Sequence, residues 1–256
     1  MIVQKLKTLL FRVSFSLCGI LLGGQTAYGQ QSIKQTIDLK NIKILQAELQ
    51  INAGTFKLTT QEQPKIDASF TYTRPNWKPV IKFTAANGML SIKQPEEKNT
   101  NMQDKDRNDW NIKLARAVPT NLKFRMGAGE GTLDLSQAKL NRLEIEAGAG
   151  EFNVNLANTS IPSLKVSAGV GSLTINLTGN RTQNLDADIS GGIGDLNLVL
   201  PRKVGVRVKV SGLGSIESGS LRKQGGYYVN DAYGKTTSSL NINVSAGLGS
   251  IKIELE

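Results

Sequence analysis

The sequence has no histidine and a single cysteine among its 256 residues, and these two scarcities remove much of the chemistry a protein of this size could perform. Without imidazole there is no side chain whose ordinary pKa makes it a general base near neutrality, and the usual zinc sites lose their commonest ligand. The one cysteine, Cys18, falls in an N-terminal stretch that reads as a secretory signal. The mature chain is therefore expected to have no disulfide, no thiol nucleophile and no sulfur ligand. Aromatic residues make up only 5%, and the 31 basic residues form no run, which argues against nucleic acid despite a net charge of +10. No apolar stretch outside the signal approaches the roughly 20 residues of a membrane-crossing helix.

What is present begins with export. Lys5, Lys7 and Arg12 flank or precede a short apolar run from Ser14 to Leu22, and Ala27-Tyr28-Gly29 is a small-x-small cleavage site ahead of Gln30. Residues 1–29 are assigned as signal peptide, with a periplasmic, cell-surface or secreted destination. An uncleaved anchor is the weaker alternative. Lipidation at Cys18 is weaker still, because Leu17 stands where a small residue should be. Cleavage removes three basic residues and no acid, lowering the net charge from +10 to +7. Such a balance suits an acidic surface polymer or a membrane headgroup as partner, although dispersed charge is more often a matter of solubility; another envelope protein is the other candidate partner. Oligomeric state is not legible.

The centre of the chain repeats one phrase. L-K-F-R-M-G-A-G-E-G-T-L-D-L, from Leu122, returns as L-E-I-E-A-G-A-G-E-F-N-V-N-L, from Leu143. Each copy is an alternating strand, a Gly-x-Gly corner and a second alternating strand. Strand starts at Leu122, Leu143, Leu164, Leu185 and Val206 step by 21 residues. The corners are Gly127/Gly129, Gly148/Gly150, Gly169/Gly171, Gly192/Gly194, Gly212/Gly214 and Gly247/Gly249, where glycine accepts positive φ or close backbone approach. The offset from strand start to corner drifts from five to seven and then six, which predicts slack in the corner and a bulge near Ser211. One such unit cannot bury its apolar face alone, so a short period of this kind implies stacked coils. The expected fold is all-β, a β-solenoid resembling a parallel β-helix. Leu122, Phe124, Met126, Leu133 and Leu135 should point inward in one coil, and Leu143, Ile145, Ala147, Val154 and Leu156 in the next.

Outward positions alternate in sign. They read Lys123/Arg125, Glu144/Glu146, Lys165/Ser167, Asp186/Asp188 and Arg207/Lys209, then Asn241/Asn243. Coils stacked in chain order would set each row against opposite charge, which favours the correct register.

Residues 30–94 read as a more irregular β region. The alternation of residues 42–58 is interrupted at Ala53-Gly54, and Asn87-Gly88 is a hairpin signal. An equal reading makes Gly54 and Gly88 looser first corners of the repeat. Residues 95–109 are nearly devoid of apolar side chains and read as a polar loop. Residues 110–256 carry the solenoid, with an insertion at 218–239 bearing Tyr227, Tyr228 and Tyr233. Open solenoid ends need covering, so this insertion is expected to be a cap.

Several residues invite a sharper reading. The run Gly127-Ala128-Gly129-Glu130-Gly131 looks like a phosphate-cradling loop, but a strand follows it where such a loop needs a helix. Glu144/Glu146 and Asp186/Asp188 could serve glycoside chemistry or hold a hard metal, yet the charge rows already account for them. Trp77 and Trp110 could stack on sugars, core packing being the simpler role. Tyr227, Tyr228 and Tyr233 are the best-placed aromatics for an interaction. No catalytic, metal-binding or cofactor-binding residue is assigned.

The paired G-A-G phrases, Trp110-Asn111-Ile112-Lys113-Leu114 and Val118-Pro119 resemble the bacterial toast-rack family, which includes LiaF-like cell-envelope stress proteins. Residues 41–158 are similar to its N-terminal domain. The tail, with L-P-R-K-V-G-V-R-V-K-V, G-L-G-S-I, G-G-Y-Y and Y-G-K, is similar to its C-terminal part. The resemblance implies a β-solenoid without known catalytic residues, of adhesin-like character. LiaF proteins proper carry membrane helices that this sequence does not show. The functional expectation is an exported, non-enzymatic interaction module of the cell envelope. The alternative is a solenoid that binds or acts on polysaccharide.

Overall fold

The computed structural model describes residues 29–96 and 105–256, so the assigned signal peptide lies outside the described residues except for Gly29. Alternating side chains punctuated by glycine bury their apolar set by pairing strands, and the chain does this almost throughout. The first part forms β1 (Gln31–Asp38), β2 (Leu45–Gln61), β3 (Lys65–Tyr72), the hairpin of β4 (Val80–Thr84) and β5 (Met89–Lys93), and β6 (Asn108–Ala115). The repeat supplies β7 (Thr120–Asp134), β8 (Leu140–Asn155), β9 (Ser163–Asn176) and β10 (Leu185–Leu200). Then come β11 (Gly205–Gly212), β12 (Ser215–Glu217), β13 (Arg222–Gln224), β14 (Tyr227–Val229) and β15 (Ser239–Leu255). The strands join in the order β1-β3-β6-β2-β7-β8-β9-β10-β15-β11-β14-β13, with β5 added to β2 and β12 to β15.

Each long strand is one rung with two limbs. In β7, Leu122, Phe124 and Met126 are buried before the corner and Gly131 and Leu133 after it, so the inward parity changes across Gly127-Ala128-Gly129. Both limbs thereby turn their apolar side chains into one core, which runs from Ile37 to Ile253. All ten inward residues expected for the two central coils are buried. At roughly 1.5–3 kcal/mol per fully buried aliphatic side chain, this continuous core is what makes the stack worth its ordering.

Parallel register is strict at the corners. β7, β8 and β9 stack at a step of 21 residues, with Gly129 opposite Gly150 and Gly150 opposite Gly171. From β9 to β10 the step is 23, Lys165 lying opposite Asp188, while Gly171 still faces Gly194. The corner therefore does not absorb the insertion, contrary to the expectation from spacing. The return segment between β9 and β10 takes the slack, because a Cβ at Gly194 would overlap the carbonyl oxygen of Gly171. Other returns are tight and repeated. The side-chain oxygens of Asp134, Asn155 and Asn176 accept from the backbone amides of Ser136, Ala157 and Thr178, and Gln137 and Asn158 adopt φ of 59° and 56°.

The coils do not follow chain order at the far end. β15 lies between β10 and β11, pairing in parallel with both. The bulge expected near Ser211 is absent, since Ser211 pairs regularly with Ser245. The missing residue is at the corner instead. Gly212 faces Ala246 and Ser215 faces Ser250, so two residues of one rung span the space of three in the next.

At the near end β2 is itself a rung, with Gly54 opposite Gly129, and β6 continues its second limb. Gly88 is no corner. It sits with φ +64° in the β4–β5 turn that Asn87-Gly88 signals. Of the stretch 95–109 read as a polar loop, Asn108 and Asp109 belong to β6, and Asn108 is buried, as is Gln94 just before the stretch; residues 97–104 lie outside the described residues. Asn108 Nδ2 donates to Ala53 O at 2.6 Å and Gln94 Oε1 at 2.9 Å, and Asn108 Oδ1 accepts from the Trp110 indole at 2.9 Å. This network closes the near end of the corner column.

Candidate functional site

The predicted corner glycines divide into two columns. The second glycine of each pair has positive φ, as at Gly150 (φ +138°), and a Cβ added there would overlap the Gly129 carbonyl oxygen. Gly129, Gly171, Gly194 and Gly249 meet the same obstacle from the rung before. The first glycines, Gly127, Gly148, Gly169, Gly192 and Gly247, lack positive φ but are equally crowded by the preceding backbone. In the shortened rung the roles exchange: Gly212 takes φ +144° against Ala246, and Gly214 abuts Gly249.

Between the columns runs a row of exposed side chains. Ala128, Ala149, Val170, Ile193 and Leu248 face one another in register, and Leu213 follows. The residue grows along the row, and Val170, Ile193, Leu248 and Leu213 are 55%, 56%, 57% and 85% exposed. Their flanks change too. Charged Arg125 and Glu146 on the first limb and Glu130 and Glu151 on the second flank the alanines, whereas the aliphatic part is bordered by Ser167, Ser190, Ser245 and Ser211 on the first limb and by Ser172, Asp195 and Ser250 on the second. Those serines satisfy one another, with Ser190 to Ser167 and Ser211 to Ser245 at 3.1 Å. The aliphatic ridge is thus bordered along the first limb by small, uncharged groups.

The outward rows pair ionically only in the first half. Glu48 bridges Lys93 at 2.7 Å and Arg125 at 2.8 Å, Arg125 meets Glu146 at 2.8 Å, and Lys123 meets Glu144 and Glu146 at 2.7 and 2.9 Å. Hydrogen bonding from Lys123, reinforced by Arg125, drives the Glu146 carboxyl down to about 2, and Glu144 with Glu146 raises Lys123. Lys165 lies in register between Glu144 and Asp188 but forms no ion pair among the described residues. The alternation in chain order is corrected at the far end, where the asparagines of β15 separate Asp186/Asp188 from Arg207/Lys209. Asn241 and Asn243 donate to Asp186 and Asp188 at 3.2 and 3.0 Å.

These contacts bear on chemistry. A cleft of about 530 Å³ lies between the β4–β5 hairpin and β7–β8, lined by Gln46, Glu48, Lys82, Asn121, Arg142 and Glu144. Glu146 does not line this cleft, and its carboxyl is pushed down by Lys123 and Arg125, the opposite of the raised pKa that a glycosidase's general acid needs. Trp77 and Trp110 are buried, Trp110 packing edge-on to Phe70 at 5.0 Å, so neither presents a face to sugars.

The tyrosine-bearing insertion covers one limb of the end rung. β14 pairs antiparallel with β11, and Tyr228 packs against the core. The Arg207 guanidinium lies over the rings of Tyr227 and Tyr233, at 4.7 and 5.8 Å, and Lys223 Nζ lies 5.9 Å from the ring of Tyr228. Asn230, buried, fastens the insertion. Its amide donates to Val204 O at 2.7 Å and also to Pro201 and Arg202 carbonyls, and its oxygen accepts from Val206 N at 2.9 Å. Neither Asn230 nor the buried Arg181 was signalled by sequence, because neither belongs to the period. Arg181 is 7% exposed, and its Nε and Nη1 have no hydrogen-bond partner among the described residues.

Comparison with known proteins accords with this architecture. The chain is similar to a protein from Clostridium sporogenes ATCC 15579 provisionally described as a cell adhesion protein, at 27% identity and a TM-score of 0.67, over 89% of this chain and 100% of that one. A provisionally described adhesin from Bacteroides fragilis NCTC 9343 is more distant, at 12% identity and a TM-score of 0.35, over 87% of this chain and 97% of that one. No curated protein matches the sequence. The family described as the N-terminal domain of toast_rack, DUF2154, matches residues 26–163 and again 147–199. Those stretches take in well over half of the sequence, and the chain belongs to the toast-rack family.

Proposed function

We propose that this protein is an exported, non-enzymatic, adhesin-like interaction module of the cell envelope. The observation that carries the reading is the ridge of Val170, Ile193, Leu248 and Leu213 on a framework whose rungs are locked at the same corners. Depletion of charge with exposed aliphatic groups is the composition of a protein interface core. The ridge offers an area on the order of a few hundred Å², enough to mark a contact with another envelope protein. The likeness to a structure described in terms of cell adhesion, over that chain's full length, supports the same reading.

The test is retention. Mature protein is passed over immobilised envelope preparations alongside a Leu248→Ser, Leu213→Ser variant, whose melting temperature is measured in parallel. Retention of the parent and its loss in an equally stable variant supports the proposal. Absence of retention overturns it, and retention indifferent to the ridge overturns the ridge as the contact surface. The polysaccharide-active alternative would show itself as release of reducing sugar from the same preparations.

A further inference from the structure

The basic row of β11 is treated unlike that of β7. Lys123 and Arg125 are neutralised by Glu144 and Glu146 on one flank, and Arg125 by Glu48 on the other. Arg207 and Lys209 lie on the same outer face of the first limb, but their neighbours on β15 are Asn241 and Asn243. The carboxylates beyond, Asp186 and Asp188, are two strand spacings away, roughly 10 Å, and accept from those asparagines. On the other flank Val229 of β14 stands opposite Arg207. Among the described residues, neither Arg207 nor Lys209 has a carboxylate within 4.0 Å. Ion pairing is thus used on one basic row and withheld from the other.

Arg207 is also braced. It lies over two tyrosine rings, and Asn230 ties the segment carrying them to residues 201–206. Cation–π attraction places Arg207 without a carboxylate partner, and a guanidinium's N–H fork takes the two oxygens of a carboxylate or phosphate. Lys209 follows two residues later on the same face, roughly 7 Å along the strand. Two cations at that separation suit neighbouring charges on a polyanion better than one small anion.

We propose that Arg207 and Lys209, framed by Tyr227 and Tyr233, form a recognition site for the carboxylate or phosphate groups of an acidic surface polymer. The site names one partner for the interaction module and does not use the aliphatic ridge.

Binding of polygalacturonate (carboxylate) and of polyglycerol phosphate (phosphate) is measured by titration calorimetry, with dextran as the uncharged control. The mature protein is expected to bind at least one polyanion, more weakly as salt rises, and not dextran. Arg207→Ala should weaken binding about tenfold or more, the scale of a charge-assisted hydrogen bond. Lys57→Ala removes the same charge from the second limb and should change affinity by less than about twofold. Asn241→Asp, made together with Asp186→Asn so that no two carboxylates meet, supplies the missing carboxylate and should reproduce the loss while every basic residue is kept. Melting temperatures exclude unfolding as the cause. Failure of both polyanions to bind, equal effects of the Arg207 and Lys57 variants, or unchanged binding by the Asn241→Asp, Asp186→Asn variant overturns the site. If envelope retention persists when both polyanions fail, the interaction module stands without this site.

Discussion

Gly150→Ala tests the physical basis of the fold at one atom. The added methyl would fall on the carbonyl oxygen of Gly129, with the carbonyl carbon only 2.8 Å away, and the backbone there holds φ +138°. That conformation alone costs an L-residue about 1–3 kcal/mol. The overlap is with backbone, so no side chain can swing aside, and β7 and β8 must part locally. Losing two ladder hydrogen bonds at about 1 kcal/mol each brings the total to about 3–5 kcal/mol. For a domain of this size that is a fall in melting temperature of roughly 6–20 °C. The control is Ala149→Val, one residue earlier, where the side chain is exposed and the next rung already carries Val170. It should stay within about 0.5 kcal/mol of the parent. Thermal unfolding by circular dichroism compares the two. If both variants melt within a degree or two of one another, the stacked corner is not what holds adjacent rungs in register.

Other consequences follow from buried and paired groups. Arg181→Met should raise stability by on the order of 1–4 kcal/mol, since it removes a buried, incompletely bonded cation. Burial lowers Arg181 to about 10, so the parent should gain stability relative to this variant as pH climbs from about 10 towards the ordinary guanidinium range; a constant difference in chemical denaturation would refute this. Asn230→Ala should cost about 2–4 kcal/mol and expose 218–239 to protease, because three carbonyls and an amide lose their partner; urea midpoint and cleavage rate read it out. Glu146 has a carboxyl held down to about 2, so its contribution is present above about 4.5 and fades as pH falls towards 2. Glu146→Gln should flatten that part of the acid limb, by under about 1 kcal/mol because the pair is half-exposed.

The sequence by itself determined the rung: its alternation, the inward sets around Phe124 and Ile145, and the Gly-x-Gly corners. These are local and periodic, and a Cβ-free backbone contact leaves a mark at every repeat. Tertiary structure alone decided the order of rungs, the burial of Gln94 and Asn108, and which cations were left without acids. β15 has two full limbs, with Leu240, Ile242, Val244, Ile251 and Ile253 all buried, and therefore needs a neighbour on each side. The β11–β12 rung is a residue short at its corner and leaves Leu213 and Ile216 exposed, so it fits only at an end. Exposed ion pairs, at about 0.2–1 kcal/mol each, could not reverse a choice made by that much apolar surface, and so the charge pattern read in chain order misplaced the last two rungs.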